Sequence, residues 1–111
     1  LGAAGENDIG KHFPNNDVTY KDISSIELLK EVNRIISFKK FVINNIDSVV
    51  LAEEPRIEPF KEKMISNISQ ALNIDKAKIN VKATTTERLG AIGRLEGISS
   101  YAIASLRENA K

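Results

Sequence analysis

Between residues 25 and 84 the apolar side chains change their spacing three times, and this succession of periods limits the folds open to the chain. Ile26, Leu28, Leu29, Val32, Ile35 and Ile36 recur at helical spacing behind Ser24-Ser25, an N-cap candidate followed by the acidic first-turn residue Glu27. A helix is expected over about 25–39. The stretch Phe41–Leu51 is rich in β-branched residues and stops ahead of the turn signal at Pro55, so it reads as a strand whose polar interruptions give it one wetter face. Pro59 suits the first turn of a second helix, with Met64, Ile65, Ile68, Ala71 and Leu72 as its buried stripe. Ile79–Thr84 then alternates apolar with polar residues, as a strand with one covered face does.

The flanks are weaker. Residues 6–22 hold Gly, Pro, Asn and Asp without a lasting period and read as loop, while Gly90, Gly93 and Gly97 break the later chain into short turns. Ala and Ser dilute both periods across residues 98–106; a strand is expected there, because a third strand completes a sheet carrying two helices on one face. Residues 1–5 resemble the last turn of a helix with a glycine stop and include no Met, which suggests further chain upstream. The expected fold is α/β in composition, an α+β two-layer sandwich with a mixed sheet, spanning residues 1–111 as one domain.

Composition removes several functions. Hydrophobic residues make up 41% of the 111, enough for a core. Sixteen Lys plus Arg against 15 Asp plus Glu give a net charge of +1, so no global positive field draws in nucleic acid or anionic lipid. A bound phosphate must be held locally. The absence of Cys excludes disulfides, thiolate zinc sites and cysteine nucleophiles, and a single His excludes a paired-histidine zinc site. No apolar run reaches membrane-spanning length, and the N-terminus lacks the basic-then-apolar pattern of a secretory signal. An RNA-binding sandwich is disfavoured, since neither sheet aromatics nor a basic face is evident.

Three polar segments remain. Residues 8–17 could offer Asp8 and Asp17 to hydroxyls or a metal, with Gly10 admitting a ligand to the backbone; alternatively they are a solvated loop of Asx turns, with His12 an exposed surface residue. Residues 52–59 leave a strand end whose unpaired amides could read a base edge while Arg56 holds a phosphate, or they are simply a strand-to-helix connection. Residues 82–87, Lys-Ala-Thr-Thr-Thr-Glu, combine three hydroxyls with a carboxylate. Hydroxyls and helix-start amides suit phosphate, and the carboxylate a divalent cation; a capping box from Thr84 to Glu87 satisfies the same spacing.

Together these segments resemble one family, the 2-C-methyl-D-erythritol 2,4-cyclodiphosphate synthases of the non-mevalonate isoprenoid pathway. The resemblance runs through Leu1-Gly2-Ala3-Ala4, Asp8-Ile9-Gly10-Lys11-His12-Phe13-Pro14, Tyr20-Lys21, Asn45-Ile46-Asp47, Pro55-Arg56, Ile79 to Glu87, Leu89-Gly90, Gly93-Arg94 and Glu96-Gly97-Ile98, in order. It implies an intramolecular phosphoryl transfer, in which a 2-phosphate attacks the β-phosphorus of a cytidine diphosphate ester and expels CMP. It further implies zinc and magnesium or manganese as cofactors, and a homotrimer with sites between adjacent subunits. The location would be cytoplasmic in a bacterium or a plastid-type organelle in a eukaryote.

By family position, Asp8, Ile9, Gly10, Phe13, Pro14, Asn15, Asn16 and Asp17 meet the sugar and erythritol part of the substrate. Ala52, Glu53, Glu54, Pro55, Arg56, Ile57 and Glu58 form the cytosine and diphosphate loop. Ala83, Thr84, Thr85, Thr86 and Glu87 bind the diphosphate, with Thr85 the expected transition-state stabiliser and Glu87 the magnesium or manganese ligand. Ala91 and Arg94 fall near the trimer axis, where family members hold an isoprenoid diphosphate; Ala91 stands where a Phe is usual, and Asn15 where Asp is frequent. The family's zinc ligands, an Asp-x-His pair and a further His, have no counterpart among these residues, which implies a truncated form inactive by itself. The rival expectation is a noncatalytic subunit that binds cytidine nucleotides or serves assembly.

Overall fold

A computed structural model describes residues 1–14, 16, 17, 19 and 23–109. Helix α2 (Ser25–Phe38) starts where Ser24 Oγ accepts from the Glu27 amide at 3.2 Å, as the N-cap pattern predicts. Strand β1 (Phe41–Leu51) follows, then a single 3-10 turn at Glu58–Phe60 with Pro59 inside it, leading into α3 (Lys61–Leu72). Asn73 closes α3 in the left-handed conformation, its amide bonded to Ser69 O. Strands β2 (Ile79–Thr84) and β3 (Ser99–Glu108) complete the chain, with a short α4 (Gly90–Gly93) between them. Residues 98–106 therefore do form a strand, displaced by a residue or two.

The sheet order is β2-β1-β3, with β1 parallel to β2 and antiparallel to β3, so it is mixed. The wetter face of β1 has a local cause. A register shift between Ile43 and Asn45 inserts Asn44 as a bulge, and its Nδ2 donates to Ser105 Oγ at 2.9 Å. After the bulge Ile46 regains the face that Ile43 occupied, and Asp47 and Val49 fall on the other.

Both long helices lie on that first face. Ile36, Ile43 and Leu72 form one cluster, joined by Leu29, Ile46 and Ile68; Val50, Ala52, Ile79 and Val81 form the other, joined by Met64 and Ile65. Each large aliphatic side chain buried this way contributes about 1.5–3 kcal/mol. Asn33 Nδ2 ties the helices together by donating to Leu72 O at 3.3 Å. On the opposite face Tyr101 and Ile103 remain 68% and 74% exposed. Among the described residues no helix is long and apolar enough to cross a membrane.

One stretch differs from expectation. Within the expected loop 6–22 a single helical turn, α1 (Ile9–His12), forms because Asp8 Oδ1 accepts from the Lys11 amide at 3.0 Å. The N-terminal residues behave as the glycine stop suggests: a 3-10 turn at Gly2–Ala4 ends at Gly5, whose φ of 69° suits its lack of a Cβ.

Candidate active site

Parallel pairing decides which polar segments meet. Leu51 is opposite Thr84, and the Ala52 amide extends the ladder to Thr84 O at 3.1 Å, so both chains leave the sheet side by side. Between them lies a cleft of about 240 Å³ lined by Ala52, Glu53, Arg56, Ile57, Glu58, Ala83, Thr84 and Thr85. The second and third polar segments thus form one site at the carboxyl ends of adjacent parallel strands.

The three threonines are not equivalent. Thr86 Oγ1 donates to Leu89 O at 2.8 Å, and Thr84 Oγ1 donates to Thr85 O at 3.3 Å. Thr85 Oγ1 only accepts, from the Glu87 amide at 3.3 Å. A hydroxyl has one hydrogen, so Thr85 alone keeps its own for a ligand. Arg56 is exposed and makes no ion pair or hydrogen bond among the described residues, and the amides of Glu54 and Arg56 also have no partner there. Pro55 between them follows a cis peptide bond.

The capping-box reading of residues 84–87 is overturned. Thr84 ends β2, Glu87 and Arg88 take φ values of 54° and 62°, and the next helix begins only at Gly90. Two successive non-glycine residues in this region store strain of order 1–3 kcal/mol each, so their surroundings must over-determine them. Glu53 does so: its Oε1 accepts from the Arg88 amide at 2.9 Å and the Thr86 amide at 3.1 Å, with Thr86 Oγ1 at 3.3 Å. The Arg88 amide, followed by the Thr86 amide, holds this carboxyl below its ordinary pKa against the opposing effect of burial. Gly93 closes the turn from beneath, since a Cβ there would lie 2.1 Å from the Arg88 carbonyl carbon. Sequence reasoning placed Glu53 in the site but missed its internal bonds.

The remaining expected site residues lie elsewhere within the chain. Asp8, Ile9, Gly10, Phe13, Pro14, Asn16 and Asp17 do not line the cleft; Asn15 falls outside the described residues, as do Tyr20 and Lys21. Asp8 caps α1, and Asp17 Oδ1 accepts from the Thr19 amide at 2.9 Å in an Asx turn. His12 is half-buried rather than exposed, and its Nε2 donates to Glu6 O at 2.5 Å, because a carbonyl can only accept. Arg94 is paired with Glu96 at 3.0 Å, and Ala91 is exposed in α4.

Metal chemistry divides along the same lines. Among the described residues no three His, Asp or Glu side chains gather as a metal site, so these residues by themselves do not fit zinc. The Glu87 carboxylate is exposed and unpartnered, which fits magnesium or manganese, ions commonly held by one or two carboxylates plus substrate phosphates.

An α+β sandwich with a polar cleft at the carboxyl ends of its parallel strands has the layout in which loops beyond a sheet can supply contacts to a ligand. The YgbB family model matches residues 1–107, and the chain belongs to that family. The 2-C-methyl-D-erythritol 2,4-cyclodiphosphate synthase of Clostridium botulinum (strain Alaska E43 / Type E3) is 54% identical over 106 residues, covering 96% of this chain and 68% of its own. The bifunctional IspDF of Campylobacter jejuni superposes with a TM-score of 0.92 at 44% identity, covering 97% of this chain and 29% of that one. Plasmodium falciparum IspF in complex with CDP gives 0.83 at 37% identity, covering 100% and 65%.

Proposed function

We propose that the cleft is the cytidine diphosphate side of an active site that cyclises 4-diphosphocytidyl-2-C-methyl-D-erythritol 2-phosphate to 2-C-methyl-D-erythritol 2,4-cyclodiphosphate. An oxygen of the 2-phosphate forms a bond to the β-phosphorus, the bond from that phosphorus to the bridging oxygen breaks, and CMP leaves with the electron pair. Positioning and charge neutralisation supply most of the acceleration in such transfers. The observation that carries the reading is the free hydroxyl hydrogen of Thr85 in a cleft that also holds the unpaired cation Arg56. Thr85 donates to the phosphate that changes bonding, Arg56 holds the diphosphate, and the free amides of Glu54 and Arg56 meet the cytosine edge. The CDP bound by the Plasmodium falciparum relative supports a cytidine nucleotide as ligand.

A magnesium or manganese ion on Glu87 would neutralise phosphate charge. Zinc needs ligands from outside these residues. The segment 8–17 serves a neighbouring copy's cleft in a homotrimer, for which the exposed Tyr101 and Ile103 on the helix-free sheet face provide apolar contact.

The test compares the 111-residue polypeptide with a chain in which an Asp-x-His zinc segment precedes Leu1. The longer chain should release CMP and cyclic product in equal amounts by phosphorus NMR and sediment as a trimer, while the shorter one should not turn over. Tight CDP binding by the longer chain without turnover would instead establish the noncatalytic subunit.

A further inference from the structure

We infer that Glu53 is a positioning residue rather than a substrate contact: its carboxylate fills the amide nest of residues 86–88 and thereby holds Thr85 with its hydroxyl hydrogen free. β1 and β2 stop pairing after the Ala52 amide reaches Thr84 O, and Glu53 is the next residue. From there its carboxylate replaces the lost ladder, with Oε1 2.9 Å from the Arg88 amide and 3.1 Å from the Thr86 amide.

Amides turned inward by a tight turn form a concave anion site, and here those of Thr86 and Arg88 converge on one oxygen while the Glu87 amide between them donates to Thr85 Oγ1. In many proteins a phosphate occupies such a nest; here the chain supplies its own anion. Two consequences follow. The amides of Thr86 and Arg88 are spent and do not cradle the diphosphate, which leaves that work to Thr85 and Arg56, together with any magnesium or manganese ion that Glu87 would hold. The nucleotide-side segment 52–58 and the threonine turn also move as one body, because a single carboxylate oxygen belongs to both.

The kinetic part of this inference rests on the functional reading above; the structural part does not. In the longer, zinc-ligand-bearing chain, Glu53→Ala should speed hydrogen exchange at the Thr86 and Arg88 amides by about tenfold or more while distant core amides keep their rates. Its kcat should fall about tenfold with CDP affinity within about twofold, and in a Thr85→Ala background the same change should cost less than about twofold more, because residues acting through one another are not additive. Glu53→Gln keeps one acceptor oxygen in the same shape and should recover most of both effects. Unchanged exchange at Thr86 and Arg88 overturns the inference. So does a CDP affinity that collapses in Glu53→Ala with full additivity on Thr85→Ala, which marks a direct ligand contact. A wild-type protein without turnover defeats the functional reading alone, and the exchange rates still decide the role of Glu53.

Discussion

Replacing Thr85 by Ala removes the only threonine hydroxyl in the cleft whose hydrogen is uncommitted. The structural cost is small. Thr85 is exposed and caps no helix, and the one internal bond of its side chain is a 3.3 Å contact from the Glu87 amide, so stability should drop by no more than about 0.5 kcal/mol, the low end for a single hydrogen bond. The catalytic cost is larger. A preorganised donor that tightens as charge develops on the transferring phosphate is worth about 2–4 kcal/mol, judged by the loss of one oxyanion donor. At 1.36 kcal/mol per factor of ten that is about 30-fold to 900-fold in kcat. CDP affinity should stay within about threefold, because the interaction belongs mainly to the transition state. Thr85→Ser, which keeps the hydroxyl, should restore most of the rate. Turnover of CMP, CDP titration and melting temperature measured on one set of variants separate the effects. A Thr85→Ala protein that melts several degrees lower yet retains its kcat would refute the reasoning and make the residue structural.

Other outcomes follow from the packing and charges. Gly93→Ala places a Cβ 2.1 Å from the Arg88 carbonyl carbon, so the turn must shift, at a cost of about 1–3 kcal/mol in urea unfolding and faster exchange at the Arg88 amide. Leu72→Ala, at a site 4% exposed between the two helices and β1, should lower stability by about 2–5 kcal/mol without a change in CDP affinity once folded. Asp47 titrates below the ordinary aspartate range because Lys82 Nζ, at 2.9 Å, and then Asn80 bond its carboxylate. A carboxyl whose folded pKa is depressed stabilises the fold above its unfolded pKa and loses that contribution as pH falls through the folded value. Lys82→Met should therefore raise the NMR-observed pKa of Asp47 and weaken the acid dependence of stability; an unchanged pKa would rule out the ion pair as its cause.

The sequence by itself determined the elements and which face of each one is buried. Its apolar periods specify α2, β1, α3 and β2 within a residue or two, because each element has one face to bury and that requirement is written locally in every turn and every second residue. The site's residue types were legible for the same local reason: a run of Thr with Glu at a strand end, and an Arg beside Pro. Tertiary structure alone decided how those residues are used. The parallel register that sets Leu51 opposite Thr84 brings the two loops into one cleft, and no spacing along the chain encodes it. The Glu53 bonds join residues 33 and 35 positions apart, so the local capping pattern between Thr84 and Glu87 gave no hint that a distant carboxylate would bend the backbone left-handed instead. His12 shows the same limit, since its partner is the Glu6 carbonyl, a backbone atom without a sequence signature. Periodicity records what each element must bury; which polar groups then meet depends on strand pairing, which only the folded chain fixes.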